Sequence, residues 1–259
     1  MTETVLITGA SSGIGLELAK CFAADGCRLI LVARNTAALE TLAEALRQSH
    51  QIEVIILTAD LSRPETPKRI FAELSAQKIA VDVLVNNAGF GALGNFTELP
   101  LARQLEMLQV NIAALTELTG LFLPGMMQRK RGGILNVGSV AGFQPGPGMA
   151  VYYATKAFVL SFTEALAEEL AGSGLKISVL CPGPTATNFS QVARANKSRL
   201  FKARKMSAVA VARAGHRAFR AGKVIAIPGG SNKLLVFCGR LAPRAAVRKI
   251  ARFYNRTED

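Results

Sequence analysis

Thr4-Val5-Leu6-Ile7-Thr8-Gly9-Ala10-Ser11-Ser12-Gly13-Ile14-Gly15, TVLITGASSGIG, runs from a short apolar stretch through a glycine-rich turn into residues with helical spacing. A strand that turns on glycines directly into a helix predicts a βα unit whose loop is shaped for an anion. Glycines at 9, 13 and 15 let the backbone turn tightly and approach a pyrophosphate, and the helix opening at Ile14 turns its free N–H groups and positive dipole end towards it. The loop residues Gly9, Ser11, Ser12, Gly13, Ile14 and Gly15 are therefore candidate cofactor ligands. The G-x-x-x-G-x-G spacing is neither G-x-G-x-x-G nor a P-loop, which needs Gly-Lys-Ser/Thr at its end. Taken alone, it also suits a methyltransferase or a plain structural turn.

Working outward, short β-branched runs alternate with longer helical ones. Strands are expected at Thr4–Thr8, Arg28–Ala33, Glu53–Thr58, Val81–Asn86, Gly133–Gly138, Lys176–Cys181 and Val224–Ile227. Helices are expected at Ile14–Ala24, Thr36–Ser49, Pro67–Gln77, Leu101–Gln128, Tyr152–Ala171 and Ser207–Ala221. Seven strands with crossover helices predict an α/β fold, a doubly wound Rossmann-type domain with a parallel sheet and helices on both faces. The 259 residues, half of them hydrophobic, suffice for one such domain with a full core. In this architecture ligands bind at the carboxyl ends of the strands. Those ends carry the glycine loop, Asn86-Asn87-Ala88-Gly89, Ser139 and Pro182-Gly183.

The end of the second strand reads Ala33-Arg34-Asn35. NAD enzymes generally place a carboxylate there for the ribose hydroxyls, whereas a guanidinium can pair with a 2′-phosphate and stack on adenine. Arg34 therefore points to NADP(H) in preference to NAD(H). Asp60, after the third strand, can accept from the adenine amino group or cap the helix that follows.

Val151-Tyr152-Tyr153-Ala154-Thr155-Lys156 supplies a reacting group. Tyrosine titrates near 10, so proton transfer near neutrality requires help, and a neighbouring ammonium favours phenolate. Positions i+3 and i+4 both lie close to residue i on a helix, so Lys156 suits either Tyr152 or Tyr153 on spacing alone. Asn111 falls inside a long helix, where asparagine is locally unfavourable.

Together TGASSGIG, Asp60-Leu61, NNAG, Asn111, Ser139, YYATK and PGPTAT, in this order over residues 4 to 188, resemble the short-chain dehydrogenase/reductase family in its shorter branch. The resemblance implies that Tyr152, four residues before Lys156, is the acid/base and that Tyr153 faces away from the reaction. It implies that Ser139 bonds the substrate oxygen, that Lys156 holds the nicotinamide ribose and depresses the Tyr152 pKa, and that Asn111 holds a water. It further implies that Asn87, Ala88 and Gly89 form a platform for the adenosine ribose, that Leu61 accompanies Asp60 at the adenine, and that Pro182, Gly183, Thr185 and Thr187 contact the carboxamide and phosphates. The implied reaction is hydride transfer between a nicotinamide and a carbonyl carbon, in a homodimer or homotetramer built through the helices at 101–128 and 152–171.

Beyond Phe189 the resemblance fades into a variable segment, 189–259, expected to cover the substrate. Phe90, Phe143, Met149 and Phe189 flank the expected site and suggest a hydrophobic carbonyl or alcohol. Residues 1–189 hold 14 Lys+Arg against 16 Asp+Glu, while residues 190–259 hold 17 against 2. Arg244, Arg248, Arg252 and Arg256 recur every four residues beside Val247, Ile250, Ala251 and Tyr254, the pattern of a basic amphipathic helix. Its partner is an anionic membrane surface, an acidic carrier or CoA ester, another subunit, or water. Nucleic acid is not expected, because no aromatic platforms interleave with the charges.

The start of the chain has no signal-peptide core, and no uninterrupted apolar run approaches the roughly 18 residues of a membrane span. A cytoplasmic protein is expected, peripheral to a membrane if the tail binds lipid. Four cysteines without C-x-x-C pairing and only two histidines argue against a metal and suggest buried or partly buried thiols. The alternatives to a carbonyl reductase are a reductase of acyl chains carried on CoA or a protein, and a non-catalytic NADP-binding regulator.

Overall fold

The computed structural model describes residues 2–195, 198–199 and 205–256. The elements run β1 (Thr4–Thr8), α1 (Gly13–Ala24), β2 (Arg28–Ala33), α2 (Thr36–His50), β3 (Val54–Thr58), α3 (Thr66–Ala76) and β4 (Val83–Asn86). Then come α4 (Leu101–Leu108), α5 (Ala114–Arg129), β5 (Gly133–Val137), α6 (Ala150–Glu169), β6 (Lys176–Leu180), β7 (Thr185–Ala186) and α7 (Phe189–Val192). The chain closes with β8 (Met206–Ser207), α8 (Ala208–Arg220), β9 (Ile225–Ala226), α9 (Gly230–Leu241) and α10 (Arg244–Asn255).

Seven strands pair in the order β3-β2-β1-β4-β5-β6-β9, all parallel. Side chains alternate between the two faces, as a pleat requires. Val5, Ile7, Leu29, Leu31, Val83 and Val85 pack with Leu18 and Phe22 of α1, Leu39 of α2 and Phe219 of α8. Leu6, Ile30, Val32, Leu84 and Ile134 pack on the other face with Ile70 of α3, Phe122 of α5 and Leu166 of α6. Leu6 is fully buried, and its truncation to alanine would cost about 2–5 kcal/mol.

Strand order reverses between β1 and β4, which leaves a crevice at their carboxyl ends. Thr8 fastens that crevice: its Oγ1 accepts from the backbone N–H groups of Asn87 and Ala88, both at 3.0 Å. Asn86, just before them, is buried and donates to Asn136 Oδ1 at 2.9 Å and Thr119 Oγ1 at 3.2 Å, tying β4 to β5 and α5.

The expected seven strands are present, β1 and β2 with the expected bounds and the other five trimmed by one or two residues. The expected helix over 101–128 is α4 and α5 joined by a π-helical turn, Gln109–Ala113, and it runs to Arg129. By length and composition Leu101–Arg129 could cross a membrane, but Met107, Ala114, Leu118, Phe122 and Met126 are buried in the fold. Helix α9 has no counterpart among the expected elements. Of the variable segment, residues 196–197, 200–204 and 257–259 lie outside the described residues.

Candidate active site

A cleft of about 750 Å³ runs along the carboxyl ends of the sheet. Its floor contains Gly9, Ser11, Ser12, Gly13, Ile14, Arg34, Asp60, Leu61, Asn87, Ala88 and Gly89, then Ser139, Tyr152, Lys156, Pro182, Gly183, Thr185 and Thr187. Gly15 stands behind the loop, and Asn111 behind Gly89 and Phe90.

The glycine loop is left-handed at Gly9 (φ 65°) and Gly13 (φ 59°), where a side chain would be strained. A Cβ on Gly15 would sit 2.4 Å from both Gly9 O and Asn87 Nδ2, so the third glycine permits the loop to close on its neighbour. Asn87 Nδ2 donates to Thr8 O at 2.8 Å and Gly9 O at 3.2 Å. Its side chain braces the loop and leaves the backbone to face the cleft.

Arg34 is exposed at one end of the cleft and has no carboxylate within ion-pair distance among the described residues. Asp60 accepts from Ser62 N at 3.0 Å. Burial works to raise its carboxyl, but the bonds from Ser62 and the Arg34 and Arg63 charges hold it below the usual value. Asp60 stabilises its own turn, while α3 begins six residues later at Thr66.

At the other end, Ser139 caps a 3₁₀ turn, Val140–Phe143, by accepting from Ala141 N at 3.1 Å. It also lies within hydrogen-bonding reach of the Tyr152 phenol. Lys156 is buried, donates from Nζ to Val137 O at 2.8 Å, and sits 5.9 Å from the Tyr152 ring centroid. Asn111 is buried in the π turn, a feature frequent at functional sites. Its Oδ1 accepts from Phe90 N at 3.1 Å, and its Nδ2 donates to Phe90 O at 3.0 Å and Thr155 Oγ1 at 3.1 Å. Widening the helix at Asn111 thus pins the loop after β4 to α6.

The two tyrosines part company. Tyr153 is buried and donates to Asn255 Oδ1 at 3.2 Å, while Asn255 Nδ2 donates to Pro147 O at 3.0 Å. Tyr153 therefore bolts α6 to α10, and the phenol of Tyr152 is the one beside Ser139.

A family model described as short chain dehydrogenase matches residues 3–198. The chain belongs to the short chain dehydrogenase family. Ketoacyl reductase HetN of Nostoc sp. is 34% identical over 181 residues, covering 70% of this chain and 63% of that protein. Sulfoacetaldehyde reductase 2 of Chromohalobacter salexigens is 38% identical over 194 residues, 74% of this chain and 76% of its own. Several other curated relatives are matched over only 57% to 59% of their length. Among solved structures, a short-chain dehydrogenase from Sphingobium yanoikuyae in complex with NADPH superimposes with a TM-score of 0.83 at 34% identity, covering 92% of this chain and 93% of that one.

The structure departs from the sequence expectation in three respects. Burial pushes the Tyr152 phenol above its ordinary value, opposed by the Ser139 hydrogen bond, and pushes the Lys156 ammonium down to about 8. Desolvation dominates both groups, and the Lys156 ammonium is held by Val137 O at 2.8 Å. Phe90, Met149 and Phe189 line the cleft, but Phe143 packs beside Leu115 and Val159 with Arg240 5.8 Å from its ring. Cys238 is exposed, whereas Cys27 and Cys181 are buried and Cys21 is half-buried.

The roof is the part the sequence concealed. Asn232, Leu235 and Gly239 of α9 and Val247, Ile250, Ala251 and Tyr254 of α10 complete the cleft lining. Val247, Ile250, Ala251 and Tyr254 carried a signal, the apolar face of the basic helix, although its period does not say what it covers. For Asn232 and Leu235 no local pattern points to the cleft.

Proposed function

We propose that the chain is an NADP(H)-dependent oxidoreductase that interconverts a carbonyl and an alcohol on a hydrophobic substrate, with Tyr152 as proton donor and acceptor. The observation that carries this reading is the convergence of Ser139, Tyr152 and Lys156 in one cleft with the glycine loop and Arg34, beneath an apolar roof.

The residues fit a dinucleotide, because Asn87 braces the glycine loop from behind and Gly9, Ser11, Ser12, Gly13 and Ile14 line the cleft in front. Gly9, Ser11, Ser12, Gly13 and Ile14 would hold the pyrophosphate, with Gly15 letting the loop close behind them instead of touching it, Arg34 a 2′-phosphate, and Asp60 with Leu61 the adenine. Asn87, Ala88 and Gly89 would carry the adenosine ribose, Lys156 the nicotinamide ribose, and Pro182, Gly183, Thr185 and Thr187 the nicotinamide side. When bound, the nicotinamide supplies or accepts the hydride.

In the reducing direction Ser139 donates to the carbonyl oxygen and stabilises the negative charge growing there. Tyr152, kept neutral by burial, gives that oxygen its proton. The Lys156 ammonium lowers the cost of the phenolate left behind, and Asn111 supports proton return by holding the loop beside it and a water.

Titrating NADPH and NADH, then following oxidation of the preferred one with a panel of aldehydes and ketones, tests the proposal. Tight NADPH binding with turnover of a hydrophobic ketone is expected; tight binding without turnover of any carbonyl would favour a regulatory role. A second reading, a reductase of acyl chains on CoA or a carrier protein, draws on the names of the relatives, a ketoacyl reductase and a very-long-chain 3-oxoacyl-CoA reductase among them. A KM for acyl-CoA that rises steeply with salt would support it.

We also infer a homodimer or homotetramer through α4–α5 and α6, in the cytoplasm. Leu101, Leu105, Leu108 and Phe158 leave apolar surface on those helices. Light scattering that returned only the monomer mass would contradict the assembly.

A further inference from the structure

Helices α9 and α10, joined by Ala242 and Pro243, expose large apolar side chains, of which Phe253 also carries the Arg199 guanidinium 4.0 Å from its ring. On α9, Leu234 (62% exposed), Phe237 (59%) and Leu241 (73%) follow at i, i+3 and i+7 and so share one stripe. That stripe is opposite Asn232, Leu235 and Gly239 of the cleft lining, and Cys238, which also lines the cleft, lies at its edge. On α10, Ile250, Phe253 and Tyr254 form a second exposed stripe, and Ile250 and Tyr254 belong to the cleft as well. A protein rarely leaves so many large apolar side chains in water without a use for them.

The charges around these stripes are of one sign. Lys233, Arg240, Arg244, Arg248, Lys249, Arg252 and Arg256 are all exposed, and none pairs with a carboxylate among the described residues. No acidic residue occurs between 190 and 257. A second copy docked here would bring two such cationic surfaces together, so charge opposes self-association on this face. A partner that is both apolar and anionic over an extended area satisfies both features, and an anionic lipid bilayer is such a partner.

We propose that α9 and α10 form an interfacial membrane-binding surface for anionic lipid, with the rim of the cleft at Ile250 and Tyr254 facing the lipid. The apolar stripes enter the acyl boundary and the basic residues meet the headgroups. The surface itself stands apart from the catalytic reading. Its consequence for substrate rests on that reading: the carbonyl compound is one that partitions into membranes and reaches the cleft from the lipid side.

Full-length protein is sedimented with vesicles of phosphatidylcholine alone and of phosphatidylcholine mixed with phosphatidylserine. Wild type is expected in the pellet with the anionic vesicles and largely in the supernatant with the neutral ones. Raising salt from roughly 0.1 M to roughly 1 M, where the screening length falls from about 10 Å to about 3 Å, should release most of it. Each charge removed from Arg244, Arg248 and Arg252 by glutamine should weaken binding roughly fivefold. The triple variant Leu234→Ser, Phe237→Ser and Leu241→Ser keeps the charge and should still lose at least about tenfold, because apolar insertion is half of the proposal.

NADPH fluorescence titrations without vesicles are expected to be unchanged in both variants, which controls for folding. Equal binding to both vesicle types would overturn the proposal, as would a serine triple variant that binds like wild type, since adhesion would then be charge alone. Failure to bind anionic vesicles, whether with salt-sensitive capture by a small acidic carrier protein or with a dimer that the serine variant breaks, would also overturn it. Vesicle binding is read without turnover, so failure of the catalytic reading leaves it standing, and the reverse holds too.

Discussion

Residues 4–189 and residues 190–256 line the same cleft by different means. The first segment supplies six of the seven sheet strands, the glycine loop and Ser139, Tyr152 and Lys156, with basic and acidic side chains nearly balanced. The second supplies a roof of Asn232, Leu235, Val247, Ile250 and Tyr254 on two helices of strongly basic character. The family model ends at residue 198, while the Sphingobium yanoikuyae structure superimposes on 92% of the chain. Cofactor and chemistry belong to the floor in this account, and choice of substrate to the roof.

That division can be broken experimentally. The largest separation is expected at Arg34: Arg34→Ala should weaken NADPH about 10- to 100-fold, the worth of charge-assisted bonds to a phosphate, and change NADH little. Equal losses for both in a fluorescence titration would remove the 2′-phosphate assignment. On the roof, Ile250→Asp should raise KM for a hydrophobic ketone about tenfold through lost apolar burial, with NADPH affinity intact. A loss of NADPH affinity instead would put the roof on the cofactor. A smaller, graded effect is expected with pH. Lys156 is charged below about 8 and neutral above it, whereas the raised Tyr152 stays protonated throughout. kcat/KM for reduction should then be level through neutrality and fall as pH rises through about 8. A profile that climbs through that region would contradict the assigned roles.

The floor was legible because its signals are local. TVLITG and RLILVA each place alternate residues on the two faces of the sheet, and Gly9, Gly13 and Gly15 stand where a Cβ would be strained or would collide with a neighbour. The π turn at Asn111 was hidden, since the sequence shows an unfavourable residue but not the widening that buries it. Helix α9 was hidden for another reason. Leu234-Leu235-Val236-Phe237 is one continuous apolar run, so it has no visible helical period, and only Val236 is buried. The direction of the Tyr152 shift was hidden because spacing places Lys156 near the ring, as the structure does, but says nothing of how deeply the phenol is buried.

The central claim is that Tyr152, and not its neighbour, moves the proton. The direct test is NADPH oxidation with a hydrophobic ketone by wild type, Tyr152→Phe and Tyr153→Phe, with NADPH affinity and thermal stability measured alongside. Tyr152→Phe should lose about 10²- to 10⁴-fold in kcat and bind NADPH as wild type does. Tyr153→Phe should turn over within a fewfold of wild type and lose about 1–3 kcal/mol of stability, through the Asn255 oxygen it leaves unpaired. A dead Tyr153→Phe beside an active Tyr152→Phe would contradict the account.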